Sequence, residues 1–127
     1  MELPVVNHKD YFAKIGDDHK FPINKFGDLA DYLIKNKIVQ KFHEPYPCSV
    51  ETLKRAHSEE YINNIKNKTL DKIGIKKIGF PLVDSVVKRS FIATGGTVLA
   101  SKLAINNGVA CNTAGGSHHA NYYGGAG

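Results

Sequence analysis

A chain of 127 residues is long enough for one hydrophobic core and too short for two. Apolar residues make up 42% and charged residues 23%, which fits a folded globular class and argues against disorder. The formal charge is +5, from 17 Lys and Arg against 12 Asp and Glu, and the excess is almost all Lys spread along the chain among Ile and Asn. It reads as a solvated basic composition without the aromatic and arginine interleaving of a single-strand platform, so nucleic acid is not expected as a partner. The opening residues carry no apolar leader, and no apolar run approaches the roughly 18–20 residues of a membrane span. No membrane association and a cytoplasmic location are expected. Cys48 and Cys111 lie far apart and form no C-x-x-C pair. Reduced thiols are the simplest account, and a structural zinc built on them is unsupported.

Pro4-Val5-Val6 is a short β-type run, followed by a polar loop from His8 to Asn24. Phe26, Leu29, Ala30, Leu33 and Ile34 recur at helical spacing and predict a helix ending near Asn36-Lys37, with Lys35 and Lys37 suited to its dipole. The β-branched run from Ile38 to Phe42 suggests a small strand, and Pro45 and Pro47 mark a loop. Ser49 is a good cap for a helix through Leu53 and Ala56. Ser58 is a second cap, with Glu59 and Glu60 in the first turn and Tyr61, Ile62 and Ile65 on one face. The Lys-rich stretch 66–79 reads as a solvated linker with occasional apolar anchors.

Pro81 opens a long helical segment with broad apolar faces. Gly95-Gly96 in its middle costs about 1 kcal/mol per Gly relative to Ala, which points to close packing against another backbone. Gly108 is the expected C-terminal stop. Val109-Ala110-Cys111 is then a candidate buried strand that feeds Gly115-Gly116. The order is that of an α/β fold, helix-rich with two or three short strands, in which sites sit just beyond the carboxyl ends of strands. So few strands make a poorly covered sheet with raw edges. Residues 1–127 are therefore expected to be the N-terminal part of a single larger domain, incomplete at its C-terminus.

The residues that carry chemistry are Gly115-Gly116-Ser117-His118-His119-Ala120. Histidine exchanges protons near neutrality, and two of them behind a glycine turn at a strand end would reach one cleft. One would serve as general base toward a water and the other as acid or electrostatic stabiliser. The glycines match neither a P-loop nor a dinucleotide fingerprint. A metal held by His118 and His119 alone is not supported, because side chains of sequence neighbours diverge. His8, His19, His43 and His57 have no partner at ligand spacing and read as surface or locally bonded residues.

The stretch from Asn112 to Ala120 resembles the signature of the zinc-dependent histone deacetylase superfamily, which includes acetoin-utilisation proteins and acetylpolyamine amidohydrolases. Similar likenesses run through His19-Lys-Phe-Pro-Ile-Asn-Lys-Phe26, Ala56-His57-Ser58-Glu59-Glu60-Tyr61, Gly79-Phe80-Pro81, Arg89-Ser90 and Gly95-Gly96-Thr97. The resemblance implies an open, arginase-like α/β fold with a central parallel sheet. It also implies hydrolysis of an N-acetyl amide by a zinc-bound water, on an acetylated protein or a small acetylated amine. By the same resemblance His119 would be the general base and acid, and His118 its hydrogen-bonding, electrostatic partner. Gly115 and Gly116 would shape the turn, and Gly127 would line the acyl channel. The family's zinc ligands lie downstream of the His pair. No zinc is therefore expected on this chain alone, which should be inactive as an enzyme unless a complementary C-terminal fragment completes it. The alternative expectation is a non-catalytic binding module.

Overall fold

The computed structural model describes residues 2–116 and 119–126. Its elements, in chain order, are β1 (Val5–Val6), a 3-10 turn (Lys9–Tyr11), α1 (Lys25–Lys35), α2 (Val50–Leu53), α3 (Glu59–Lys66), α4 (Lys72–Ile78), α5 (Asp84–Asn107), β2 (Cys111–Asn112), β3 (Ala120–Asn121) and β4 (Gly124–Gly125). β1 and β2 pair in parallel, with Val5 opposite Cys111 and Val6 opposite Asn112. On its other edge β1 takes a single parallel bridge from His43. β3 and β4 form an antiparallel hairpin. The protein is thus mixed helix and short strand.

The capping chemistry sets most helix ends. The side chains of Ser49, Ser58 and Asp71 accept from the backbone N–H groups of Thr52, Tyr61 and Gly74, satisfying first-turn donors that no helical carbonyl can reach. Gly79 and Gly108 close α4 and α5 at φ 78° and 83°, the left-handed region open to glycine. α5 runs as one helix straight through Gly95-Gly96.

Three expectations need correction. Ile38–Phe42 is not a strand: the N–H groups of Ile38 and Val39 both bond back to Leu33 O, so the end of α1 uses the donors a ladder would need. Only His43, past the run, reaches β1. The Lys-rich stretch is not a linker throughout, because Asp71 and Gly79 bracket a genuine helix, α4, whose exposed Lys side chains mask its pattern. Finally, β2 is not buried. Val109 is 50% exposed, Cys111 is exposed, and among the described residues no strand pairs with its outer edge.

The core lies where the 3-10 turn crosses the middle of α5. Tyr11, Phe26, Ile92, Ala93 and Ala114 form one buried cluster, and Ala13, Ile15 and Val86 a second, with Phe21 and Ile23 packed against both. On α5, Val86, Ile92, Ala93 and Gly96 share a face at helical spacing. Polar links reinforce the crossing: Arg89 Nε donates to Tyr11 O at 2.8 Å, and the Lys14 N–H to Ser85 Oγ at 2.9 Å.

The two central glycines are required by close approach. A Cβ on Gly95 would overlap the Tyr46 carbonyl oxygen, where the loop before α2 lies on the helix and Cys48 N–H bonds to Phe91 O at 2.9 Å. A Cβ on Gly96 would overlap the Tyr11 hydroxyl and crowd the Asn112 amide. Overpacking of this kind costs about 1–3 kcal/mol, more than the ~1 kcal/mol that Ala gains in helix propensity. Gly95→Ala and Gly96→Ala should therefore both lower the urea midpoint, while Gly27→Ala in α1, where nothing lies within 4 Å, should raise or preserve it. Equal midpoints for all three variants would contradict this account.

Candidate active site

The site is built on Asn112, the last residue of β2. Its Oδ1 accepts from the Tyr11 hydroxyl at 2.7 Å, and its Nδ2 donates to Ala114 O at 2.8 Å. The second bond braces the turn two residues on, as asparagine side chains do where the backbone leaves a strand. Thr113 Oγ1 adds a bond to Asn7 Oδ1 at 2.7 Å, which ties the same turn to the end of β1. Ala114 beneath it is fully buried. The chain therefore emerges as Gly115-Gly116 from a fixed base at the carboxyl end of the parallel pair, as the strand-to-loop order predicts.

Gly115 and Gly116 are exposed and line two clefts. Neither has a left-handed φ, and a Cβ on either would meet nothing within 4 Å. What glycine contributes there is open space at the floor of both clefts. One cleft, of about 630 Å³, is basic and aromatic, with Lys25, Arg89, Phe21, Phe26 and Phe80 in its wall. Two cations lie over the Phe26 ring, Lys25 Nζ 5.2 Å and the Arg89 guanidinium 4.8 Å from its centre. Burial pulls the Arg89 pKa down, and the neighbouring Tyr11 partly offsets this.

The other cleft, of about 500 Å³, is mostly apolar and holds His119. His57 and Tyr61 from the start of α3 line it too, as do Ile62, Phe91 and Gly125. His57 Nδ1 lies 2.8 Å from Asn121 O, and because a carbonyl only accepts, Nδ1 carries the hydrogen. Burial raises the Tyr61 phenol above its ordinary pKa. The His119 imidazole thus borders an apolar hollow beside two further polar ring groups, an arrangement suited to proton transfer at a bound neutral group.

Of the residues singled out in the sequence, Gly115, Gly116 and His119 are brought to one place. His118 and Gly127 lie outside the described residues. Among the described residues no three His, Cys, Asp or Glu side chains gather as a metal site. The sequence reading missed three contributors. Tyr11 falls inside the polar loop from His8 to Asn24 and carries no local signal. Asn112 opens the signature stretch but has no role in that reading, although an Asn at a strand-to-turn junction is itself a signal. His57 was read as surface or locally bonded, yet its partner lies 64 residues away.

Residues 19–127 match the histone deacetylase domain family. The chain is 38% identical over 122 residues to an uncharacterised protein of the cyanobacterium Picosynechococcus, covering 94% of this chain and 41% of that protein. It is 34% identical over 116 residues to histone deacetylase 2 of Arabidopsis thaliana, covering 85% of this chain and 30% of that protein. The chain belongs to the histone deacetylase family, and it spans less than half the length of these relatives.

The base of the site has a measurable signature. Burial pushes the Tyr11 phenol up to about 12, against the opposing effects of its bond to Asn112 and the charge of Arg89. A folded-state pKa above the unfolded value near 10 means that this contribution is full below pH 10 and lost as pH rises toward 12. The stability advantage of the native chain over Tyr11→Phe should be about 1 kcal/mol at pH 8 and shrink from pH 10 upward. Urea melts across pH 8–12 test this, and an advantage that stays constant to pH 12 would refute it.

Proposed function

We propose that this chain contributes the acid–base side of an active site that hydrolyses N-acetyl amides, in an acetylated protein or a small acetylated amine. The observation that carries the reading is His119 on the wall of an apolar cleft, placed by a glycine turn at the end of a parallel strand pair, in a chain of the histone deacetylase family. His119 takes a proton from the attacking water and returns it to the leaving amine. His118 serves as its electrostatic partner, Gly127 lines the acyl channel, and the cleft's apolar walls exclude bulk water. The larger arginase-like parallel sheet and a cytoplasmic setting belong to the same proposal. No helix among the described residues is long and apolar enough to cross a membrane.

The family is generally zinc-dependent, but the described residues do not fit that ion: they offer no group of three donors. The proposal assigns the metal ligands to sequence corresponding to the rest of the relatives' length. The 127-residue chain should accordingly show no deacetylase turnover with zinc added.

A second reading is favoured by the surface near β2. Ile105 is 83% and Val109 50% exposed, and among the described residues no strand pairs with the outer edge of β2, which suits docking of a complementary C-terminal fragment. The two readings are compatible, since such a fragment would complete the site.

The test joins this chain to the C-terminal part of the Picosynechococcus relative. The fused protein should release acetate from acetyl-lysine peptides or acetylated diamines when zinc is supplied, and His119→Ala should cut kcat by about 100-fold or more. Chelator-sensitive turnover by the 127 residues alone would overturn the placement of the metal ligands. A fused protein indifferent to His119→Ala would overturn the role of that histidine.

A further inference from the structure

Two consecutive donors meet two consecutive acceptors where α3 approaches the β3–β4 hairpin. His57 Nδ1–H points at Asn121 O, and the backbone N–H of Ser58 donates to Tyr122 O, each at 2.8 Å. Both donors are rooted. The His57 N–H bonds to Leu53 O at 2.9 Å, and Ser58 is the cap of α3, its Oγ accepting from Tyr61 N–H at 3.2 Å. The hairpin is closed at its other end by the Ala126 N–H, which donates to His119 O at 3.0 Å. Tyr61 presses on the far arm, where a Cβ on Gly125 would come within 3.1 Å of its hydroxyl. The segment that begins at His119 is therefore gripped along both arms by one helix start that is distant in sequence. The hairpin contributes little of its own to hold it: its strands are two residues each, and β3 is exposed. A two-stranded hairpin of that size is marginal in water without an outside anchor.

We propose that His57, acting with the Ser58 backbone, is the positioning residue of the candidate site, fixing where the His119 imidazole stands in the apolar cleft by clamping the turn of the hairpin. The inference rests on the reading of His119 as the acid–base group, but the clamp itself can be tested without substrate or metal. His57 acts through its Nδ1 hydrogen. The amide of Asn places a donor where Nδ1 stands, whereas that of Gln places one where Nε2 stands, and Phe keeps the ring but has no donor.

The experiment compares His57→Phe, His57→Asn and His57→Gln in the 127-residue chain, by hydrogen exchange and by NMR of the imidazole side chains. His57→Phe and His57→Gln should speed exchange at the Ser58 and Ala126 amides at least about fivefold and shift the His119 ring resonances. His57→Asn should restore both toward the native values, and α5 amides should hold their protection in all three. Unchanged His119 resonances in His57→Phe, or failure of Asn to outperform Gln, would overturn the proposal. If His57→Phe does not fold, the Asn and Gln pair decides by the same criterion. In the fused enzyme, His57→Gln should lower kcat with little change in KM. Absence of turnover in every form would count against the deacetylase reading and leave the exchange result to decide the clamp.

Discussion

The bond from the Tyr11 hydroxyl to Asn112 is the constraint on which the rest of this structure depends. It joins residues 101 positions apart and lies directly over α5. Because Gly96 has no side chain, the phenol and the amide can both settle on the helix surface there. One contact thereby fixes three things: the depth of the 3-10 turn against α5, the pairing of β2 beside β1, and the direction in which the chain leaves β2. Asn112 Nδ2 then donates to Ala114 O and aims the glycine turn. A partly buried polar pair is costly unless both members are satisfied, and here the phenol donates while the amide both accepts and donates. The same burial that makes the contact specific holds the phenol protonated far into the alkaline range.

From that base the glycine turn borders two spaces of opposite character. On one side lie Lys25 and Arg89 with their aromatic neighbours. On the other lies an apolar hollow with His119, His57 and Tyr61. Arg89 borders both clefts and bonds back to the Tyr11 carbonyl, so the cation is positioned by the same crossing that positions the turn. Glycine at 115 and 116 adds no side chain to the border of either space. Fold and site are thus products of one packing solution, in which small residues sit where polar groups must converge.

How far this was legible in the sequence depends on the range of the interaction involved. Ser49 and Ser58 could be read as caps, and Gly108 as a helix stop, because each acts on backbone groups only a few residues away. The close approach at Gly95-Gly96 was readable as a need, since two glycines in a helix have to be compensated, but the partners Tyr46 and Tyr11 were not. The misreadings have another cause, local backbone bonds that composition masks. Ile38–Phe42 has strand composition, yet the end of α1 takes its donors. The run around α4 has linker composition, yet Asp71 and Gly79 cap it at both ends.

The sequence by itself determined four of the five helices, the caps at Ser49 and Ser58, the family and the identity of the turn that carries the histidines. All of these are written in local spacing or in contiguous motifs. Only the tertiary structure decided that Asn112 is the keystone of that turn, that Arg89 borders two clefts, and that His57 reaches the hairpin beyond the histidines. Each of those facts joins residues 26 to 101 positions apart in the chain. The energy of such a contact depends on where folding brings the partners, and no local pattern of residues encodes that.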